Sequence, residues 1–380
     1  MITVPKSSKR PKVAVLGAGL IGRMLTLSLI DEYEVSLFDK DKGDAKQSAA
    51  FLAAAMLAPL AESADCDIEI MQMGERALTL WPEFINKLDA SVFFQQAGSL
   101  IVAFDQDSAA LQQFKNRLKG SDFEPLNVNQ IQALEPELNT RFHKGLYLPN
   151  EAQLDNRQLL EAMAQTIYRH DVAWHKNVHV NIVNDDVFVN QKPLVGFDFI
   201  IDCRGMGLKE DLPKKQAQFR GVRGEVVRVY APDVTLHRPI RLMHPRYPIY
   251  IAPKENHQFV IGATQLESED KRKPTVRSAL ELLSACFSVH SGFAEAEILS
   301  IDSGLRPAFM DNHPKIYQTQ NRFVINGLFR HGYLLAPVIV EECIKQIKKS
   351  QQKTEPFDND KVLTFLPGLV TQENPYLNFD

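Results

Sequence analysis

Cysteine is scarce in this sequence: only Cys66, Cys203, Cys286 and Cys343 occur, and they stand far apart. No pair has C-x-x-C or metal-type spacing, which argues against a disulfide scaffold or a zinc module and points to reduced thiols in a cytoplasmic protein. Charge of one sign is also lacking. The 43 basic and 47 acidic residues leave a net charge of −4, so no positive excess speaks for nucleic acid or an anionic membrane. Long apolar runs are missing, and the most lipid-like stretch, residues 49–60, is far too short to span a bilayer. The start, MITVPKSSKRPK, is basic and polar without the apolar core of a secretory signal. There is neither an internal repeat nor a low-complexity segment.

What is present is a chain of 380 residues, 44% hydrophobic and 24% charged, enough for two domains or one large α/β domain with an inserted sheet. Its organising stretch is KVAVLGAGLIGR, residues 12–23. Residues 12–16 read as a strand buried on both faces, and apolar spacing through Ile30 reads as a helix. Between them Gly17, Gly19 and Gly22 have the spacing G-x-G-x-x-G, the dinucleotide-binding fingerprint. Gly17 permits the tight turn, Gly19 lets a pyrophosphate approach the backbone, and Gly22 lets the helix pack close to the strand. The helix N-terminus supplies N–H donors and a favourable dipole. A second strand, residues 34–38, ends at Asp39, whose carboxylate can accept hydrogen bonds from ribose hydroxyls. The pattern indicates a dinucleotide and does not choose between FAD and NAD.

Further along, residues 48–59 (SAAFLAAAMLAP) read as a tightly packed helix of small residues. Helical periodicity marks 68–88, 108–119, 129–134, 155–170 with Asp155 as N-cap, and 276–289. Residues 92–104 alternate and read as strands about a hairpin-like turn at Ala97-Gly98. Residues 145–148 form a short strand. Residues 178–189 read as strands broken at Asn184-Asp185-Asp186. A buried strand, 197–203, runs into Arg204-Gly205 and suggests a return to the first sheet. A β-rich region begins at 218–230, and 249–252 and 258–263 read as antiparallel neighbours. The charged segment 267–275 reads as a solvated loop. Strands at 294–306 and 322–326 precede Gly327 and a helix through Lys349. Residues 354–380 read as a surface wrap without chemistry.

Taken together, VLGAGLIG, AAAMLAP (53–59), RGE (223–225), YIAP (250–253), IGAT (261–264), GLRP (304–307) and GLFRHGYLLAP (327–337) resemble the D-amino-acid-oxidase-like flavoprotein family. The resemblance covers nearly the whole chain and is closest to the glycine oxidase (ThiO-type) branch. It implies a two-domain α/β fold of the glutathione-reductase/D-amino-acid-oxidase type: a Rossmann-like FAD-binding domain plus an antiparallel-sheet substrate domain. The expected division is 1–88, 146–216 and 296–353 for FAD, and 89–145 and 217–295 for substrate, with 354–380 as an extension.

The resemblance also assigns roles. Leu20, Ile21 and Gly22 lie against the FAD pyrophosphate, and Asp39 and Lys40 meet the adenosine ribose. Ala54, Ala55 and Met56 pass beside the isoalloxazine, with Ala55 where the family usually has Gly. Val178 offers its backbone to the adenine. Leu328, Phe329, Arg330, His331, Gly332, Tyr333 and Leu334 form the helix N-terminus facing the flavin. Arg306 grips a substrate carboxylate, which suits its planar fork, while Tyr250 assists and Arg330 lines the same site. Pro248 and Gln265 occupy positions that affect side-chain tolerance. His331 is expected to serve the flavin edge or a water rather than act as a base.

The implied activity is oxidation of glycine, sarcosine or a small D-amino acid with molecular oxygen as acceptor. The implied enzyme is a cytoplasmic homo-oligomer with non-covalent FAD, possible roles including thiamine thiazole synthesis. A flavin amine dehydrogenase with another acceptor, a tRNA-modifying flavoprotein and a non-catalytic flavoprotein remain alternatives.

Overall fold

The computed structural model describes residues 10–183, 186–212, 219–244, 246–318, 321–352 and 370–371. At its centre lies a sheet that contains, among the described residues, seven strands. In spatial order they are Val370–Thr371, Lys315–Gln318, Arg322–Asn326, Phe199–Asp202, Lys12–Leu16, Glu34–Phe38 and Ala173–His175. Neighbours run parallel except Lys315–Gln318 against Arg322–Asn326. The strand at 197–203 therefore does return beside the first strand, as its apolar run predicts. Helices Leu20–Leu29, Asn156–Arg169 and Gly332–Gln352 bury their apolar faces on one side of this sheet. On the other side Ala14, Leu16 and Phe38 pack against Val180, Ile182 and Val187 of a small antiparallel sheet. Parallel strands need cover on both faces, and this arrangement supplies it.

A second, mixed sheet has eight strands among the described residues, in the order Glu297–Phe309, Phe219–Tyr230, Gln258–Gly262, Ile249–Pro253, Ile240–Leu242, Ser99–Ala103, Lys144–Leu148 and Glu124–Asn127. The expected neighbours 249–252 and 258–263 are antiparallel partners here. Side chains alternate across a sheet, so register assigns each face. Val227, Ile261, Ile251, Ile240 and Leu100 share one face, buried beneath helix Val276–Val289. Gly304, Gly224, Val226, Gly262, Tyr250 and Arg241 share the other, which looks toward the first sheet.

Several expectations change. Residues 48–59 do not form one helix: Ala49–Leu52 is a single turn, Ala55 has φ +52°, Met56–Leu57 is a strand, and a new helix starts at Pro59. Composition alone allows a helix there, but the backbone is drawn out by pairing with Ala152–Leu154. Strands Phe94–Gln95 and Ser99–Ala103 flank Gly98 without pairing with each other, and each joins a different sheet. The expected domain boundaries cut across the second sheet. Lys144–Leu148 is split at 145/146, and Glu297–Phe309, placed with the first unit, is the edge strand of the second. Residues 184 and 185 of the expected turn, and the wrap at 354–380 apart from 370–371, lie outside the described residues. No helix among the described residues is long and apolar enough to cross a membrane.

Glu151 fastens the two units where they meet. Its buried carboxyl accepts from the Ala61 amide at 2.7 Å and from the Ser99 hydroxyl, joining helix Pro59–Ser63 to the second sheet. Burial pushes this carboxyl up from 4.5 to about 7, against the pull of its two donors and Arg241. The folded state therefore holds a proton that the unfolded chain releases, and stability is expected to fall as pH rises from about 4.5 to about 7. Glu151→Gln should flatten that part of the melting-temperature profile, removing up to about 3 kcal/mol of pH-dependent stability. An unchanged profile would show that Glu151 is already ionised in the folded protein.

Candidate active site

A cavity of about 670 Å³ lies between the two sheets. One end is formed where the parallel strands stop, which is where ligands bind in open α/β sheets. Gly17 turns there with φ +95°, and a Cβ on Gly22 would sit 1.8 Å from the Gly17 carbonyl oxygen, so the helix crosses in contact with the turn. A Cβ on Gly19 would meet nothing nearer than Ser48 Cβ at 3.8 Å. Gly19 is also the N-cap, with no side chain capping the helix, so the first amides are left for a ligand.

Asp39 lines this end, but both of its carboxylate oxygens already accept backbone amides, from Ala18 at 2.5 Å and Asp41 at 2.8 Å. Its first task is to lock the glycine turn to the end of the second strand, and any ribose contact must use the remaining lone pairs. Burial raises its pKa against those two bonds. Lys40 lines the cavity beside it. Val178 also lines it, but its N–H is spent on the Asp39 carbonyl at 2.9 Å, which leaves only its carbonyl to face a ligand. Leu20 and Ile21 line the cavity, whereas Gly22 lies behind the turn and does not.

Ala54, Ala55 and Met56 line the cavity, as do Leu328 through Leu334. The Ala49–Leu52 turn is held from three directions. Asn156 Nδ2 donates to the carbonyls of Ala50 and Phe51 at 2.8 Å each, and the Tyr333 hydroxyl donates to Ala50 at 3.0 Å. Leu52 drops onto Gly304, where a Cβ would stand 2.3 Å from Leu52 Cδ1.

At the far end Arg306 and Tyr250 converge. The guanidinium of Arg306 lies over Gly224, where a Cβ would be 2.4 Å from Nη2. It donates to the Thr264 carbonyl at 3.2 Å from both Nη atoms and to the Arg223 carbonyl at 3.4 Å. No carboxylate pairs with it among the described residues. Burial lowers its pKa, offset in part by Tyr250, and burial raises the Tyr250 phenol, offset by Arg306. Tyr250 stands over Gly262, whose absent Cβ would be 2.8 Å from its hydroxyl.

Arg330 also lines the cavity, but tied down: Nε pairs with Glu62 at 2.6 Å and Nη2 reaches Asp65 at 3.4 Å. His331 donates from Nε2 to Glu62 at 3.0 Å, while burial lowers its pKa and keeps it neutral. Burial penalises the Glu62 carboxylate, yet Arg330, His331 and Arg241 outweigh that and hold it ionised. Glu62 and Arg241, both on the cavity wall, escape a sequence reading because neither stands in a motif. Their signal is positional: Arg241 is the register partner of Tyr250.

The segment 267–275 is not simply solvated. Arg223, paired with Glu225 at 2.8 Å, donates to the carbonyls of Asp270 at 2.5 Å, Arg272 at 2.8 Å and Lys273 at 3.1 Å, and Asp270 and Lys271 line the cavity.

A glycine turn, an uncapped helix end and a second strand–glycine–helix unit facing one long cavity define a dinucleotide-binding protein, with Arg306 and Tyr250 at the cavity's far end. Residues 12–344 match the family described as FAD dependent oxidoreductase, and the chain belongs to that family. It is an FAD-dependent oxidoreductase of the glycine oxidase/ThiO type. It is 35% identical over 345 residues to the thiamine biosynthesis oxidoreductase ThiO of Rhizobium etli, covering 90% of this chain and 98% of that protein. It is 24% identical over 350 residues to a glycine oxidase of Geobacillus kaustophilus, covering 87% and 90%. Among solved structures, glycine oxidase from Bacillus cereus superposes with a TM-score of 0.76 at 21% identity, covering 90% of this chain and 98% of that one.

The open Gly19 and the crowded Gly22 give separable tests of the cofactor end. Gly22→Ala should destabilise the apoprotein by at least about 3 kcal/mol in denaturant, because backbone blocks the new methyl. Gly19→Ala should leave apoprotein stability within about 0.5 kcal/mol of the parent and lower FAD affinity at least 10-fold by flavin fluorescence titration. Equal destabilisation by both would refute the division of labour.

Proposed function

We propose that this chain oxidises the amine of glycine or another small amino acid, such as sarcosine or a small D-amino acid. The observation that carries the reading is Arg306, an arginine with only carbonyl partners, seated in a glycine gap beside Tyr250 at the end of the cavity. A half-buried guanidinium without a counter-ion carries a desolvation cost, and a substrate carboxylate relieves it. Its planar fork takes the carboxylate on two N–H groups, and the Tyr250 phenol, kept protonated by burial, adds a third donor.

FAD fits the rest of the cavity, held by residues 17–21, Asp39, Lys40, the Val178 carbonyl, residues 54–56 and residues 328–334. Bound there, it would supply the two-electron oxidation of the amine, with molecular oxygen as the acceptor reduced to hydrogen peroxide. The carboxylate clamp fixes the substrate at one end, so the Cα–H presents in one orientation, the effect that gives intramolecular reactions their advantage. The imine product hydrolyses to an oxo acid and an amine, which is ammonia where the substrate is a primary amino acid.

The two units divide the work, the parallel sheet holding FAD and the eight-stranded sheet holding substrate. Similarity to the Rhizobium ThiO protein favours a place in thiamine thiazole synthesis, and the family resemblance favours a cytoplasmic homo-oligomer with non-covalent FAD. Of the four cysteines, Cys203 lines the cavity, at the glycine-turn end rather than beside residues 54–56.

Anaerobic addition of glycine, sarcosine or D-alanine should bleach the flavin band. Arg306→Ala should raise the substrate concentration for half-bleaching at least 100-fold, about 3 kcal/mol, with FAD content unchanged. A variant that bleaches like the parent would remove Arg306 from the substrate site.

A further inference from the structure

Arg241 is the second cation in the substrate half of the cavity, and it is under-used. It is 5% exposed and lines the cavity. Its guanidinium makes one hydrogen bond, from Nη1 to Glu62 Oε1, at the long distance of 3.4 Å. Nε is buried with no partner among the described residues. The ring of Phe114 lies 5.1 Å from its Cζ and gives the group an apolar support.

The nearby carboxyls answer it only in part. Glu62 gives its Oε2 to Arg330 at 2.6 Å and His331 at 3.0 Å, so its charge is shared with a closer arginine. Asp65, the other acid beside Arg330, gives its Oδ1 to Arg117 at 2.9 Å. Glu151, also in the field of Arg241, is pushed up to about 7 by burial and already accepts from Ala61 and Ser99. The single carboxylate of Glu62 is thus shared between Arg241 and Arg330, with the shorter contact on Arg330. A substrate carboxylate on Arg306 would still leave the charge of Arg241 answered only by its long bond to Glu62.

Register fixes where that charge is. Arg241 stands directly opposite Tyr250 on the neighbouring strand, so both side chains rise from the same face. Tyr250 stands opposite Gly262 on the next strand, and Arg306 lies over Gly224 beyond that. In strand order Tyr250 thus stands between Arg241 and Arg306, and both cations act on its phenol. We propose that Arg241 forms a second anion subsite, and that the preferred substrate is an amine bearing two acid groups, one on Arg306 and Tyr250 and the other on Arg241. Amino acids with an acidic side chain, or with an acidic substituent on nitrogen, have this chemistry. The inference rests on the amine-oxidation reading above and narrows its substrate class.

The test uses the FAD-loaded full chain, the parent and two variants, Arg241→Leu and Arg241→Lys. Flavin bleaching is followed anaerobically with glycine, N-(carboxymethyl)glycine and D-aspartate. Thermal shifts are measured with malonate, succinate and glutarate against acetate, which need no turnover. The inference expects at least one diacid amine to exceed glycine 10-fold or more in the second-order bleaching constant. That ratio should fall at least 10-fold in Arg241→Leu and less in Arg241→Lys. It also expects a diacid to raise the melting temperature more than acetate, with the excess lost in Arg241→Leu.

Bleaching by glycine with no diacid preference overturns the inference and leaves amine oxidation standing. A diacid preference that survives Arg241→Leu also overturns it. Absence of bleaching by every amine, together with an Arg241-dependent diacid shift, overturns the oxidation reading and supports the subsite. If both variants lose FAD, the parent's diacid-over-acetate shift and diacid-over-glycine ratio decide the matter, and their absence overturns the inference.

Discussion

Arg228 spans the gap between the two sheets, and the geometry of the cavity depends on it. It rises from the cavity face of the eight-stranded sheet and donates to Asn156 Oδ1 at 2.6 Å. Asn156, at the start of a helix packed on the parallel sheet, passes the constraint to the carbonyls of Ala50 and Phe51. Burial pushes the Arg228 guanidinium down to about 10, with Arg157 adding to the shift. Lys254, two positions beyond Ala252 in the chain, repeats the device. Its buried ammonium donates to Gln153 Oε1 at 2.9 Å and the Leu154 carbonyl at 2.8 Å, and burial pushes it down to about 7. Both cations have neutral acceptors, so each is held in place by hydrogen-bond geometry rather than by a matching charge. Such links are directional in a way that apolar packing is not, and they fix the register between units.

Because that link sets the height of residues 50–53, it also sets the shape of the wall along residues 54–56. Ala55 adopts φ +52°, a conformation that costs a residue with a Cβ about 1 kcal/mol. The resemblance expects glycine at this position, and the structure shows why: the backbone turns there whichever residue is present. Asn156 and Tyr333 hold the turn before it, and strand pairing holds Met56 and Leu57 after it, so the strained residue has no freedom to relax.

The parts legible in the sequence are those governed by local pattern. The strand–glycine–helix unit, Asp155 as a helix cap accepting from Arg157 and Gln158, and the alternation in the second sheet all arise from neighbours in the chain. The parts that were not legible depend on distant partners. An alanine-rich stretch at 48–59 satisfies helix propensity, and only contacts with Asn156 and Ala152–Leu154 draw it out. The segment 267–275 reads as solvated because its side chains are charged, but it is anchored through its carbonyls, and carbonyls have no signature in a sequence. Glu62 and Arg241 fall outside every motif, and they meet only because helix Pro59–Ser63 is tied to the second sheet through Glu151.

The glycines of the second sheet show how side-chain removal can build a site. Gly224 faces Gly304 directly across the two outermost strands, and Gly262 lies on the adjoining strand in register with Val226. Glycine weakens a strand, and three on one face would be a poor choice for a sheet that had only to be stable. Each is instead filled from elsewhere: Leu52 enters above Gly304, the Arg306 guanidinium above Gly224, and the Tyr250 hydroxyl above Gly262. The trough brings a charged group and a phenol flat against backbone, where carbonyls of Thr264 and Arg223 orient the guanidinium without cancelling its charge. A carboxylate partner in the same place would have stabilised the empty protein and closed the site. The sheet therefore gives up local strand stability to hold an oriented cation against backbone, with no carboxylate partner among the described residues.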